Sequence, residues 1–186
     1  MLLADGGIML ADNFLPENDF RAIQQWALKV ECDLTRRNRN WGMEIILDFE
    51  ECMCSRQWSS AEDDMPEQGR MFINALHQTG MIESDATIVL GIYRWQALSG
   101  MGEHSDNHTD TAMTFYLNDT WKENWFGDFI FYESKSDEEA GFGRSVAPRS
   151  NRLVINKSTV HHKVTYCSKL AVERISIQAF VIKDLN

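Results

Sequence analysis

His104-Ser105-Asp106 offers an imidazole and a carboxylate two residues apart. On a strand, side chains at that spacing point to the same face, so one element could present both to a single metal ion. A third ligand has to come from elsewhere, and His162 in His161-His162-Lys163-Val164 is the candidate. Two histidines and a carboxylate on one face of a metal leave the opposite face open, an arrangement suited to divalent iron that must accept further ligands. An isolated His-x-Asp also arises by chance, and a histidine in a β-rich chain is commonly structural. The triplets alone do not decide.

The run Arg174-Ile175-Ser176-Ile177-Gln178-Ala179-Phe180 alternates cleanly. If Ile175 and Ile177 pack against an outer layer, Arg174 and Ser176 point inward. A buried guanidinium needs an anion, because an unpaired charge in a dry pocket is costly. The planar fork suits a carboxylate, and the Ser176 hydroxyl can add a bond. Pairing of Arg174 with an internal Asp or Glu is the alternative. In Thr114-Phe115-Tyr116-Leu117-Asn118, Thr114 and Tyr116 share the face opposite Phe115 and Leu117. The Tyr116 phenol is then either a second donor beside Arg174 or a core tyrosine.

These residues need strands to carry them. Ala86–Trp95, Ala112–Leu117, Gly127–Tyr132, Arg152–Ile155 and Arg174–Lys183 are short, rich in β-branched and aromatic residues, and separated by polar turns. Many short strands in succession predict a sandwich or jelly roll. Before them, Gly7–Asp12 is a short apolar stretch and Met43–Phe49 reads as a strand. Pro16 suits a first helical turn, and Phe20, Ile23, Trp26, Ala27 and Val30 follow at helical spacing. A second helix is expected from Asp63 or Asp64, with Pro66 and Glu67 in its first turn, Phe72, Ala75 and Leu76 buried, and Gly80 at its end. The helices should pack outside one sheet. Glu133–Gly143, with Asp137, Glu138 and Glu139, reads as a solvated loop, with a lid as the alternative.

The 186 residues suffice for one domain with a real core. No Pro/Gly/Ser-rich linker divides them. The expected organisation is a single domain over 1–186, with helical support over about 1–85 and a strand core over about 86–184. A net charge of −10 argues against binding phosphate backbones, so no nucleic-acid partner is expected. No apolar run is long enough to span a membrane, and no basic, apolar leader opens the chain. Cys32, Cys52, Cys54 and Cys167 match no zinc spacing and read as free thiols. The expected location is the cytoplasm.

Taken in order, the pieces resemble the prolyl-hydroxylase-like branch of the 2-oxoglutarate/Fe(II) oxygenases. They are Tyr93, His104-x-Asp106, Thr114-Phe-Tyr-Leu-Asn118, Trp121 and Phe126-Gly127-Asp-Phe-Ile-Phe. Val146-Ala-Pro148, Asn151-Arg-Leu-Val154, His162-x-Val164 and Arg174-Ile-Ser176 follow. The resemblance runs from about Ile92 to Ile182, half the chain, and implies a double-stranded β-helix, mainly β with N-terminal helices on one sheet. It implies Fe(II) at His104, Asp106 and His162. It also implies 2-oxoglutarate with its distal carboxylate on Arg174 and Tyr116, helped by Ser176, with Tyr93 as a pocket tyrosine. O₂ is then the oxidant and ascorbate a reductant. The implied reaction hydroxylates a C–H bond of an amino-acid-like substrate (a small molecule, a peptide or a protein side chain) and releases succinate and CO₂. Related halogenases lack the carboxylate that Asp106 supplies here.

Several features depart from the family pattern. Phe126-Gly127 stands where relatives often have Gly-Gly. A longer gap between His162 and Arg174 implies an extended hairpin around Tyr166–Val172. His108-Thr109-Asp110 is a second His-x-Asp, but it leaves too little room before Thr114, and the family spacing selects His104. His161 should point away from His162. Trp95, Trp121 and Trp125 border the pocket or fill the core. Two other classes stay open: a jelly roll that binds metal or a small carboxylate without catalysis, and a cupin-type metalloenzyme without a cosubstrate.

Overall fold

The computed structural model of the protein describes residues 2–5, 7–34 and 52–182. The strand expected over Met43–Phe49 lies outside the described residues. The hairpin of β1 (Leu2–Asp5) and β2 (Ile8–Asp12) leads into helix α1 (Glu17–Ala27). Short strands β3 (Asp33–Leu34), β4 (Cys52–Cys54) and β5 (Trp58–Ser59) precede α2 (Glu67–Gln78). The strand-rich part then runs β6 (Ile88–Trp95), β7 (Met101–His104), β8 (Thr109–Tyr116) and β9 (Phe129–Phe131). After a short helix α3 (Lys135–Ala140) come β10 (Arg144–Val146), β11 (Arg152–Lys157), β12 (His162–Val164) and β13 (Arg174–Ile182).

The strands form two antiparallel sheets. The major sheet has the order β1-β2-β11-β8-β13-β6-β4-β3, with β5 also on β6. The minor sheet is β10-β9-β12-β7. Neighbours in space are distant in sequence, as in a jelly roll.

Period-2 alternation decides which sheet face meets the helices. Ile88, Leu90 and Ile92 of β6 face one way, as do Met113 and Phe115 of β8 and Ile175, Ile177 and Ala179 of β13. They merge into one core with Phe20, Ile23 and Ala27 of α1 and Phe72 and Leu76 of α2. Phe115 stands at its middle, stacked on Phe72 at 5.2 Å and edge-on to Phe20 at 6.1 Å. The helices thus cover the outer face, as expected, and the inner face is left for other residues. Among the described residues no helix is long and apolar enough to cross a membrane.

Three local expectations change. Helix α2 starts at Glu67, not at Asp63 or Asp64. Pro66 is extended (φ −57°, ψ 149°), a proline disfavours helical backbone in the residue before it, and Asp64 pairs with Arg56 at 2.5 Å instead. Within Glu133–Gly143 the acidic run forms α3. The Ser134 hydroxyl caps the Asp137 amide, Asp137 and Glu138 suit a helix N-terminus, and Gly141 closes it in the left-handed conformation (φ 75°). Tyr166–Val172 is a crossing between sheets and not a hairpin, because β12 pairs with β7 and β9 while β13 pairs with β6 and β8.

Candidate active site

In the minor sheet, β7 and β12 are antiparallel, with His104 and His162 as directly opposed residues. Their rings stand side by side, centroids 4.2 Å apart. Asp106 reaches them differently from the two-apart-on-a-strand expectation. Strand β7 ends at His104 and the chain turns, with the Thr109 amide and hydroxyl both donating to the Asp106 carbonyl at 2.9 Å. The turn, not a strand face, brings the carboxylate back. Ligand atoms of His104, Asp106 and His162 all lie within 4.8 Å of one another. Asp106 Oδ2 is 3.5 Å from His162 Nε2.

One device fixes both rings. His104 Nδ1 donates to the Gly102 carbonyl at 2.8 Å, and His162 Nδ1 to the Val160 carbonyl at 2.9 Å. Each bond selects the tautomer that leaves Nε2 with its lone pair free to bind a metal. Burial, and after it the neighbouring His104, holds the His162 pKa below the usual imidazole value, which favours the neutral ligand form. Phe129 stacks on His162 at 4.8 Å. Asn156, which the sequence reading missed, donates from Nδ2 to Asp106 Oδ2 at 3.2 Å. The strand expected over Arg152–Ile155 runs on to Lys157, and the alternation that turns Val154 inward turns Asn156 inward too.

The triad opens on a cavity of about 620 Å³ between the sheets. Tyr93, Trp95, Thr114, Tyr116 and Gln178 of the major sheet line it, facing Met101, Phe129 and Val164 of the minor sheet. Arg174 enters from one end. It is 1% exposed, yet among the described residues it has no ion pair. Its Nη1 donates to the Gly127 carbonyl at 2.6 Å, and its guanidinium lies 5.2 Å from the Trp95 ring centre and 6.0 Å from that of Tyr116. Its Nε is buried without a partner. A buried cation left short of an anion in a cavity wall has the geometry and charge to accept a carboxylate.

Tyr116 is fully buried, and burial pushes its phenol pKa up, so it stays a hydrogen-bond donor. Burial does the same to Tyr93, whose hydroxyl receives a long bond from Gln57 Nε2 at 3.5 Å. Ser176 is buried between Tyr93 and Tyr116, behind the cavity wall, and accepts from Gln178 Nε2 at 3.3 Å. Trp95 borders the cavity, while Trp121 and Trp125 pack edge-to-face with each other outside it. His108 stands exposed at the cavity rim and Asp110 is exposed, so neither belongs to the triad. His161 points outward to Glu138 at 3.1 Å.

The family model described as "2OG-Fe(II) oxygenase superfamily" matches residues 90–182. No curated protein sequence matches the chain. Among solved structures, a Pseudomonas putida prolyl-4-hydroxylase superposes with a TM-score of 0.73 at 16% identity, covering 96% of this chain and 93% of that one. A Trichoplax adhaerens prolyl hydroxylase, in complex with a hypoxia inducible factor oxygen degradation domain peptide fragment, gives 0.71 at 16%, covering 95% and 84%. HygX from Streptomyces hygroscopicus, with nickel and 2-oxoglutarate bound, gives 0.60 at 10%, covering 95% and 83%. These likenesses show the jelly-roll fold. The match that begins in β6, ends with β13 and spans half of the chain makes this protein a member of the 2OG-Fe(II) oxygenase superfamily, whose chemistry uses Fe(II), 2-oxoglutarate and O₂.

Proposed function

We propose that this chain is an Fe(II)- and 2-oxoglutarate-dependent dioxygenase that hydroxylates a C–H bond of an amino-acid-like substrate, releasing succinate and CO₂. His104, Asp106 and His162 hold the metal through two Nε2 atoms and a carboxylate oxygen. Arg174 takes the far carboxylate of 2-oxoglutarate, and the Tyr116 phenol donates a second bond. One observation carries the reading: a three-donor cluster and a buried guanidinium without an ion pair among the described residues open on the same cavity. When bound, iron and 2-oxoglutarate supply the oxidising power for C–H hydroxylation.

The chain's own residues position and enclose. The carbonyls of Gly102 and Val160 hold the two imidazoles in register, and Asn156 steadies Asp106. Trp95, Met101, Phe129 and Val164 give the cavity apolar walls that limit water. The Trichoplax adhaerens neighbour was solved with a peptide, which supports a peptide-like substrate.

The test has two stages. Binding of 2-oxoglutarate to Mn(II)-loaded protein is followed by calorimetry. Succinate formation with Fe(II) and ascorbate is then read over a library of amino acids, peptides and metabolites. Loss of metal affinity in Asp106→Ala together with substrate-dependent succinate supports the reading. No 2-oxoglutarate consumption across the library, with iron affinity unchanged in Asp106→Ala, overturns it.

A further inference from the structure

The inner face of the major sheet is a grid, and its rows separate two halves of the cavity. On β13 the inward positions run Arg174, Ser176, Gln178, Phe180 and Ile182. Each step is ~7 Å along the strand, so Arg174 and Phe180 are roughly 20 Å apart at their backbones. The Phe180 row is continuous across four strands. Asn156 is opposite Ala112, Ala112 opposite Phe180, and Phe180 opposite Val89. Asn156 bonds Asp106, so the triad stands over one end of this row. The remainder of the row, with Ile182 one step further along β13, is an apolar floor at the end of the sheet remote from Arg174.

Charge points the same way. Among the described residues, the only carboxylate lining the cavity is Asp106, and its only Lys or Arg is Arg174. The metal's two positive charges and that of Arg174 are cancelled by Asp106 and the two carboxylates of 2-oxoglutarate. Among the described residues no charge is left in these walls to balance a charged group beyond the metal. A charged side chain there would lie against apolar atoms with no partner among the described residues. At the mouth, Gln57 and Asn107 offer amides and His108 an imidazole whose ring lies 6.3 Å from Phe180.

Resting on the assignment of the metal and 2-oxoglutarate site, we propose that the floor of Val89, Ala112, Phe180 and Ile182 is the substrate subsite. It takes an uncharged aliphatic group, while the polar or charged remainder of the substrate stays at the mouth among Gln57, Asn107 and His108.

The experiment needs no turnover. Protein loaded with Mn(II) and 2-oxoglutarate is titrated with N-acetyl amino-acid N-methylamides carrying leucine, valine, proline, aspartate or lysine side chains, and paramagnetic broadening of their side-chain resonances is read by NMR. Broadening is expected for the three aliphatic side chains, with aspartate and lysine at least about 100-fold weaker. Phe180→Glu, a residue half-open to the cavity, should exchange the order, so that lysine is broadened and leucine is not. Equal or stronger broadening of the charged members in the unaltered protein overturns the proposal. So does the absence of broadening for every member while 2-oxoglutarate is itself broadened. Failure of 2-oxoglutarate to broaden is a different result and sinks the underlying assignment.

Discussion

Arg174→Met separates what this arginine does for the fold from what it does for the ligand. In the free protein its cation is buried, and its Nε has no partner among the described residues. Methionine removes that desolvation cost and fills similar length with apolar atoms. It forfeits the charged bond to the Gly127 carbonyl, ~1.5–3 kcal/mol, and the contacts with the Trp95 and Tyr116 faces, ~1–2 kcal/mol together. An uncompensated buried ion costs several kcal/mol, so the two sides nearly cancel. Stability in urea should therefore change by no more than ~2 kcal/mol in either direction. Affinity for 2-oxoglutarate should instead fall ~10²–10⁴-fold, since breaking a buried charge pair costs ~3–5 kcal/mol. Arg174→Lys should restore little, because an ammonium keeps the charge and loses the two-pronged geometry. Calorimetric titration of Mn(II)-loaded protein and urea denaturation of the metal-free protein read the two quantities. Loss of more than ~4 kcal/mol of stability, or an affinity within about threefold of the unaltered protein, would refute the argument.

Asn156→Ala should lower Mn(II) affinity about 10–100-fold without unfolding the protein; metal titration of the variant checks this. Gly127→Ala places a Cβ 2.9 Å from Cys167 Sγ on backbone with φ +74°, so it should cost ~1–3 kcal/mol in urea unfolding and weaken 2-oxoglutarate binding, with Cys167→Ala recovering part of both. Asp12 receives two bonds from Arg152, at 2.5 and 2.8 Å, and that arginine holds its pKa below the usual carboxylate value. The pair's stabilisation should thus be fully present above pH ~4, the unfolded value, and lost as pH falls through the lower folded one. Thermal melts of the unaltered protein and Asp12→Asn should converge below that window and differ above it.

The outer face of the major sheet was legible because its alternation is strong: Ile175, Ile177 and Phe115 can face only the helices, which turns Arg174 and Tyr116 inward. Helix α1 was legible for the same reason at a different period. Asp106 is brought to His104 and His162 by a turn closed by Thr109, where the sequence pointed to a strand face. Asn156 was hidden by a strand end set two residues early. The acidic run before Gly143 looked like solvent-facing charge, although Ser134 three residues before Asp137 is a helix-start signal. What the sequence could not display is which sheet each strand joins, and that made a crossing look like a hairpin.

That crossing matters because the histidines of the three-donor cluster and Arg174 belong to different sheets. No single strand carries both the triad and the guanidinium, and the connectors at the Arg174 end bond the two sheets to each other. Leu98 and Cys167 share a bond from the Leu98 amide to the Cys167 carbonyl at 2.9 Å, and the Cys167 amide returns one to Ser99 at 3.0 Å. Ser168 donates to the Trp125 carbonyl at 2.8 Å, and Thr165 to that of Asp128 at 2.9 Å. Gly100 lies so close that a Cβ would meet the Val164 carbonyl oxygen at 2.9 Å. Two of these connectors hold a non-glycine residue in left-handed backbone, Leu98 (φ 64°) and Phe126 (φ 54°), at a cost of ~1–3 kcal/mol each. Strain retained at these two positions lies in the segments that tie the sheets together at the Arg174 end. Substitutions in these loops should therefore shift cosubstrate affinity while leaving metal affinity alone, which distinguishes positioning of Arg174 from a mere tie between sheets.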